Sequence, residues 1–188
     1  MGTQRKYPLR NKIVVVPMGD IEYAFVNKLA SQLVSFFNLG VDILQGAKIP
    51  PEALNPQRSQ YYSTVILSKL ELMKSAPEEK MLGLVDEDLY VPTKNYVIGE
   101  ADPVGKCAVV SLFRLKRENY EMLDEEKVLY ARTLKESVHL LGHLLGFESC
   151  RNPKCVMYLT DVIMEVDQKG TKFCDNCLRK VKVWHGQS

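Results

Sequence analysis

Two histidines four residues apart, a glycine three further on and two close pairs of cysteines all fall between Glu136 and Cys177, and no other stretch constrains the chain as much. A helix brings positions i and i+4 to one face, so His139 and His143 can offer both imidazoles to one partner. Gly146 ends that helix and reverses the chain. Cys150-x4-Cys155 and Cys174-x2-Cys177 supply four thiolates in two short-spaced pairs, the arrangement that tetrahedral structural zinc requires. Four buried reduced cysteines, or two disulfides, are the competing readings, but Asn152-Pro153 and Asp175-Asn176 inside the pairs suit tight exposed knuckles. The fifth cysteine, Cys107, stands alone in an apolar run and reads as core, which is unlike a secreted disulfide framework.

Composition limits what this stretch can be attached to. With 188 residues, 46% of them hydrophobic, the chain can bury one real core. Lys and Arg number 25 against 23 Asp and Glu, and a formal charge of +2 builds no phosphate-tracking surface, so nucleic acid is not an expected partner. The apolar run Ile13–Val16 behind the basic N-terminus is too short for a signal peptide or a membrane span. The expectation is a cytoplasmic monomer with no membrane attachment.

Lys12–Val16 predicts a short buried strand, followed by a helix capped by Asp20, carried by Phe25, Leu29, Leu33 and Phe36, and stopped by Gly40. Val41–Leu44 predicts a second strand. Asn55-Pro56 predicts the cap and first turn of a helix through Tyr61, Val65 and Leu70 up to Pro77. Further strands are expected at Met81–Val85, Tyr96–Ile98 and Cys107–Phe113, the last two separated by a turn over 99–105. Early alternation and late adjacent strands imply an α+β (α/β-like) fold with a mixed, mostly parallel sheet and one antiparallel edge strand. Asp124 predicts the cap of the histidine helix, whose apolar stripe is Ala131, Leu134, Val138, Leu141 and Leu145, with the histidines at its margin. Glu136, one turn before His139, reads as a solvated residue or an acceptor behind that histidine, and Glu148 as pointing outward. Residues 1–146 are expected to form the main subdomain, and 147–188 a small C-terminal one with too few apolar residues for its own core, so metal ligation would supply much of its folding free energy.

The run His139, His143, Gly146, Cys150, Cys155, Met157, Cys174, Cys177 resembles the archaemetzincins, zinc peptidases of the metzincin clan, whose signature is His-Glu-x2-His-x2-Gly-x2-His-Cys-x4-Cys-x-Met, a spacer, then Cys-x2-Cys. Segments 84–92, 99–103 and 108–112 are similar to the family as well, so the resemblance covers roughly residues 10–180. It implies a zincin fold: a twisted mixed five-stranded sheet with an antiparallel edge strand, backing and active-site helices, a cleft above the histidine helix, and Met157 as the methionine of the turn beneath a catalytic metal.

The departures fall on the catalytic half alone. Leu140 stands where the family has its glutamate, and Ser149 where it has the third histidine. A glutamate there takes a proton from the attacking water and passes it to the leaving amine, which leucine cannot do; such general acid/base help is worth about 10² to 10⁴ in rate. A neutral serine hydroxyl is also a poor zinc ligand. The expectation is therefore a zinc metalloprotease homologue with one structural zinc on the four cysteines, a degenerate second site at His139, His143 and Ser149, and no residue assigned as catalytic. Its cleft would still take a peptide or protein segment along the edge strand, placed at Tyr96, Val97 and Ile98. Two alternatives stay open: an active peptidase with an atypical ligand and base set, and a zinc-stapled interaction module.

Overall fold

The computed structural model describes residues 11–116 and 125–185. The central strand β1, Lys12–Met18, is buried on both faces, as its β-branched run requires. Parallel partners flank it: β2, Gly40–Ile43, on one side and β5, Lys80–Val85, on the other. Strand β9, Cys107–Ser111, extends the sheet in parallel from β5, and β8, Gly99–Asp102, closes it as an antiparallel edge, giving the order β2-β1-β5-β9-β8. This is the mixed, mostly parallel sheet that the order of elements implies, with the five strands that the family resemblance implies. Pro17 lies inside β1, where proline would normally break a ladder. By that point β2 has ended, and the Pro17 carbonyl is met instead by the N–H of Ala47 at 2.9 Å.

Side chains alternate strictly across the sheet. Ile13, Val15, Leu82, Leu84, Ala108 and Val110 enter one core layer. Helices α1, Tyr23–Phe37, and α4, Glu125–Leu144, cover that layer. Val14, Val16, Met81, Val85 and Val109 enter the opposite layer, under α2, Ser63–Leu72. A second sheet, β3-β4-β6-β7, is built from Leu54–Asn55, Gln60–Tyr62, Leu89–Val91 and Lys94–Val97. After the short α3, Leu112–Leu115, and α4, the chain ends in α5, Ile163–Gln168, and α6, Asp175–His185. Val156, Met157, Val166 and Phe173 of the C-terminal segment join the α1/α4 layer and form no core of their own. No helix among the described residues is long and apolar enough to cross a membrane.

Several boundaries differ from the sequence reading. Helix α1 begins at Tyr23, three residues past Asp20, and stops at Asn38, which adopts the left-handed conformation (φ 52°) and donates its N–H to Val34. Asparagine tolerates that region, so the chain turns before Gly40, which is already in β2. Asn55 caps no helix: its carboxamide oxygen accepts from the N–H groups of Gln57 and Arg58, closing the turn between β3 and β4. Tyr61 accordingly lies in β4 and α2 starts at Ser63. In α4, Ala131 is exposed while Arg132, Thr133 and Glu136 are buried, because the helix is covered by the C-terminal segment as well as by the sheet. The predicted cap Asp124 lies outside the described residues.

Candidate functional site

Helix α4 carries Arg132, Glu136, His139 and His143 along one flank, spaced so that all four meet the C-terminal segment. The Nδ1 of His139 lies 3.2 Å from the Val156 carbonyl, and that of His143 lies 2.8 Å from the Phe147 carbonyl. Carbonyl oxygens only accept, so each Nδ1 is the protonated nitrogen and each Nε2 is left with a bare lone pair. Those two Nε2 atoms face one another at 3.1 Å. Burial, then the charge of Lys169 and the neighbouring His143, outweigh the Val156 bond and push the His139 pKa down to about 3; burial also lowers that of His143. Both imidazoles are thus neutral at pH 7, with two acceptors converging on one point. Two imidazoles on a tetrahedral zinc, at a Zn–N distance of about 2.0–2.1 Å, hold their nitrogens about 3.3–3.4 Å apart. The pair fits a shared metal ion within a few tenths of an ångström.

The cleft above the pair has a volume of about 360 Å³. Its floor is Glu136, His139, Leu140 and His143, one wall is the chain from Tyr96 to Ala101, and the other is Leu159–Asp161. Tyr96, Val97 and Ile98 line it as the sequence suggests, but they are not its edge strand. Tyr96 and Val97 end β7 of the second sheet, and the main-sheet edge that borders the cleft is β8, Gly99–Asp102. Gly99 is there for close approach: a Cβ would stand 2.6 Å from Leu140 Cδ1 and 2.6 Å from the Val109 carbonyl. Leu140 therefore packs against the edge strand, only 7% exposed. Ser149 is exposed and absent from the cleft lining, as is Glu148. Gly146 takes φ 85°, which turns the chain after α4. Met157 is fully buried against Gly142, where a Cβ would come within 2.5 Å of the methionine sulfur.

The four cysteine sulfurs of the C-terminal segment lie within 4.8 Å of one another. Cys150 and Cys174 are 3.7 Å apart and Cys155 and Cys177 3.8 Å, far beyond the roughly 2.05 Å of a disulfide, so the disulfide reading is removed. A tetrahedron with Zn–S bonds of about 2.3 Å has edges of about 3.8 Å. The four thiols therefore fit a zinc ion. Backbone N–H groups of Asn152 and Cys174 point at the sulfurs of Cys150 and Cys155. The backbone N–H of Cys177 is the main influence lowering the Cys174 thiol to about 7, whereas burial raises Cys155 and Cys177. Cys107 lies in the opposite core layer, its thiol pushed up to about 11 by burial, remote in role from this cluster.

Sequence reasoning misplaced Glu136. It is 4% exposed, and its carboxylate holds the fully buried Lys169 ammonium at 2.6 Å and accepts from Thr160 at 3.3 Å. Beside it Arg132 forks onto Asp167 through two 2.7 Å bonds and donates to the Leu115 carbonyl. Lys135 donates to the carbonyls of Val166 and Asp167. A polar seam thus fastens α5 to α4. Its only trace in the sequence is the helical spacing of Arg132, Glu136, His139 and His143, and residues of those types are usually solvated.

The sequence profile of Peptidase family M54 matches residues 11–183. An archaemetzincin from Methanocaldococcus jannaschii is 36% identical over 171 residues, covering 91% of this chain and 93% of that one. One from Pyrococcus furiosus is 35% identical over 180 residues, 93% and 94% of the two chains. Among solved structures, archaemetzincin from Archaeoglobus fulgidus in complex with malonate superposes with a TM-score of 0.77 at 34% identity, covering 90% of this chain and 99% of that one. A zinc-dependent peptidase from Methanocorpusculum labreanum gives 0.81 at 27% identity, with the same coverage.

Proposed function

The chain belongs to Peptidase family M54, and from that premise we propose that it is an archaemetzincin-like protein with a structural zinc on its thiolates and a peptide cleft of impaired hydrolytic power. One observation carries the reading: Leu140 occupies the position beside His139 where a general base is needed, and it is packed against Gly99. The three carboxylates that line the cleft do not stand in for it. Glu136 is held by Lys169 and Thr160, Glu100 accepts from Ser63 and Thr64, and Asp161 pairs with Lys94. Without a base, about 10² to 10⁴ in rate is absent.

A zinc ion on the histidine pair, when bound, would polarise a peptide carbonyl and acidify a water. The chain's own residues do the rest. The free edge of β8 offers backbone groups to an extended peptide, and Tyr96 and Ile98 border the path it follows. The cleft lies between a subdomain ending near Gly146 and the thiolate-stapled lobe after it, with Leu159–Asp161 of that lobe as its far wall. A second reading, an active peptidase with an atypical ligand set, is favoured by the convergence of the two bare Nε2 atoms.

Zinc content and turnover separate the two. One zinc per chain, with a peptide library bound in the cleft and left uncut, is the expected result. Two zincs per chain with steady cleavage would overturn the proposal in favour of the second reading.

A further inference from the structure

The thiolate cluster and the histidine pair are joined by three consecutive residues. Cys155 contributes a sulfur to the cluster, the Val156 carbonyl accepts from His139 Nδ1, and Met157 fills the space against Gly142, between the two histidines in sequence. The same tripeptide is braced from both cysteine pairs: Val156 donates its N–H to the carbonyl of Lys172, two residues before Cys174, at 2.9 Å, and Met157 accepts from the Cys150 N–H at 2.8 Å. The second orienting carbonyl is supported in the same way. Phe147, which accepts from His143 Nδ1, donates its own N–H to Gly142 of α4 at 3.0 Å and sets its ring, tilted by 37°, against Phe173 at 5.5 Å, directly before Cys174.

We infer that the Val156 and Phe147 carbonyls are the positioning groups of the histidine pair, and that metal occupancy of the four thiolates governs whether the pair keeps its convergent geometry. The physical reason is the division of support. His139 and His143 sit on α4, which the sheet core holds in place, but the acceptors that select their tautomers lie on the segment after it, which enters that core beside the four cysteines. Four sulfurs drawn to one ion fix both ends of that segment at once. Without the ion, only S···S contacts of 3.7 and 3.8 Å join the two cysteine pairs, the Cys155–Met157 chain loses its anchor, and each imidazole is free to move its proton to Nε2. The cleft wall at Leu159–Asp161, one residue beyond Met157, then loosens with it.

The inference rests on the proposed zinc at the thiolates, and the experiment separates the failure of each. Protein labelled with ¹⁵N-histidine is purified with zinc, its metal content measured, and long-range ¹H–¹⁵N spectra recorded at pH 7. In the zinc-loaded protein both His139 and His143 should give the signals of the Nδ1–H tautomer; His185 is the third imidazole and serves as the internal reference. Withdrawing one equivalent of zinc with a chelator should convert the His139 and His143 signals to averaged tautomers, with amide protection in β1 and β5 retained. One equivalent of cadmium, which thiolates take in preference to imidazoles, should restore them. The variant Cys177→Ser should show the averaged state as isolated, and Cys177→His, which keeps a Cys₃His ligand set, the ordered one. Unchanged tautomers in zinc-depleted protein overturn the inference. So does loss of β1 and β5 protection in step with the imidazoles, since the metal would then support the whole fold and no specific link. Absence of zinc from the purified protein would instead strike the thiolate assignment itself.

Discussion

Lys169→Met removes the ammonium that neutralises Glu136, and the structure sets the size of the effect. Both side chains are inside the protein, 0% and 5% exposed, with 2.6 Å between nitrogen and oxygen. Methionine keeps the packing of the aliphatic stem, so the loss is electrostatic. It leaves a buried carboxylate with the Thr160 hydroxyl as its remaining donor among the described residues. Breaking a buried pair from one side costs about 3–5 kcal/mol, because the surviving charge has no compensation. With an m-value of roughly 2 kcal/mol/M, the urea midpoint should fall by roughly 2 M. The double variant Lys169→Met/Glu136→Gln removes both charges and should recover most of this loss, which makes the coupling in a double-mutant cycle at least about 2 kcal/mol. The exposed pair Lys94–Asp161, with side chains 50% and 62% accessible, is the control, and Lys94→Met should cost no more than about 1 kcal/mol. The assay is equilibrium urea unfolding followed by far-ultraviolet circular dichroism at fixed excess zinc. A Lys169→Met loss under about 1 kcal/mol, or strict additivity in the cycle, would show that water reaches the pair and that the polar seam does not hold α5 on α4.

Three further outcomes follow from the same geometry. Gly170→Ala should destabilise the protein more than Gly142→Ala, read as thermal midpoints: a Cβ at 170 would lie 1.9 Å from the Lys154 carbonyl, which is backbone, whereas at 142 it meets the mobile end of Met157. Stability should decline as pH falls below about 6.5, because His139 titrates near 3 when folded and near 6.5 when unfolded, so the unfolded chain binds the extra proton in that window. His139→Asn should flatten this acid limb in a pH series of urea midpoints, and an unchanged slope would remove His139 as its source. Leu140→Glu with Ser149→His should bring a second zinc to the chain and raise peptide cleavage by at least about 10², measured by elemental analysis and a quenched-fluorophore library. A folded double variant that binds no second metal would mean that the turn after Gly146 does not return residue 149 to the histidines.

What the sequence discloses and what it hides follow a physical division. The strands β1, β5 and β9 are legible because buried parallel strands are written as unbroken β-branched and aliphatic runs. Edge strand β8 is hidden because its four residues are all half-buried, and because Gly99 and Asp102-Pro103 carry turn chemistry; the turn itself is confined to the residues after Asp102, with Lys106 at φ 53°. Asn55-Pro56 is ambiguous in principle, since the same carboxamide that caps a helix closes a hairpin turn, and only the strand pairing of Leu54 with Tyr61 decides between them. Thiolate and imidazole pairs are legible because their ligating geometry is local in sequence. The Glu136–Lys169 pair is not, because it joins distant residues of types that are nearly always solvated, and burial is a tertiary fact.

The positions at which this chain keeps the family signature, and those at which it departs, divide by structural duty as much as by catalysis. His139 and His143 each bond a carbonyl of the C-terminal segment, Gly142 makes room for Met157, Gly146 adopts a left-handed turn, and the cysteines gather the lobe. Each would be costly to replace in a protein that cleaved nothing. Ser149, by contrast, is exposed and outside the cleft, and Leu140 sits where an apolar side chain packs well against Gly99. The two histidines alone are therefore weak testimony for a working peptidase, since their Nδ1 bonds account for them without any metal at Nε2. What does bear on metal is the other half of each ring. Two bare lone pairs at 3.1 Å repel, so the pair favours an electron-poor partner that both can reach, and whether zinc takes that place separates the proposed peptide-binding cleft from an active peptidase.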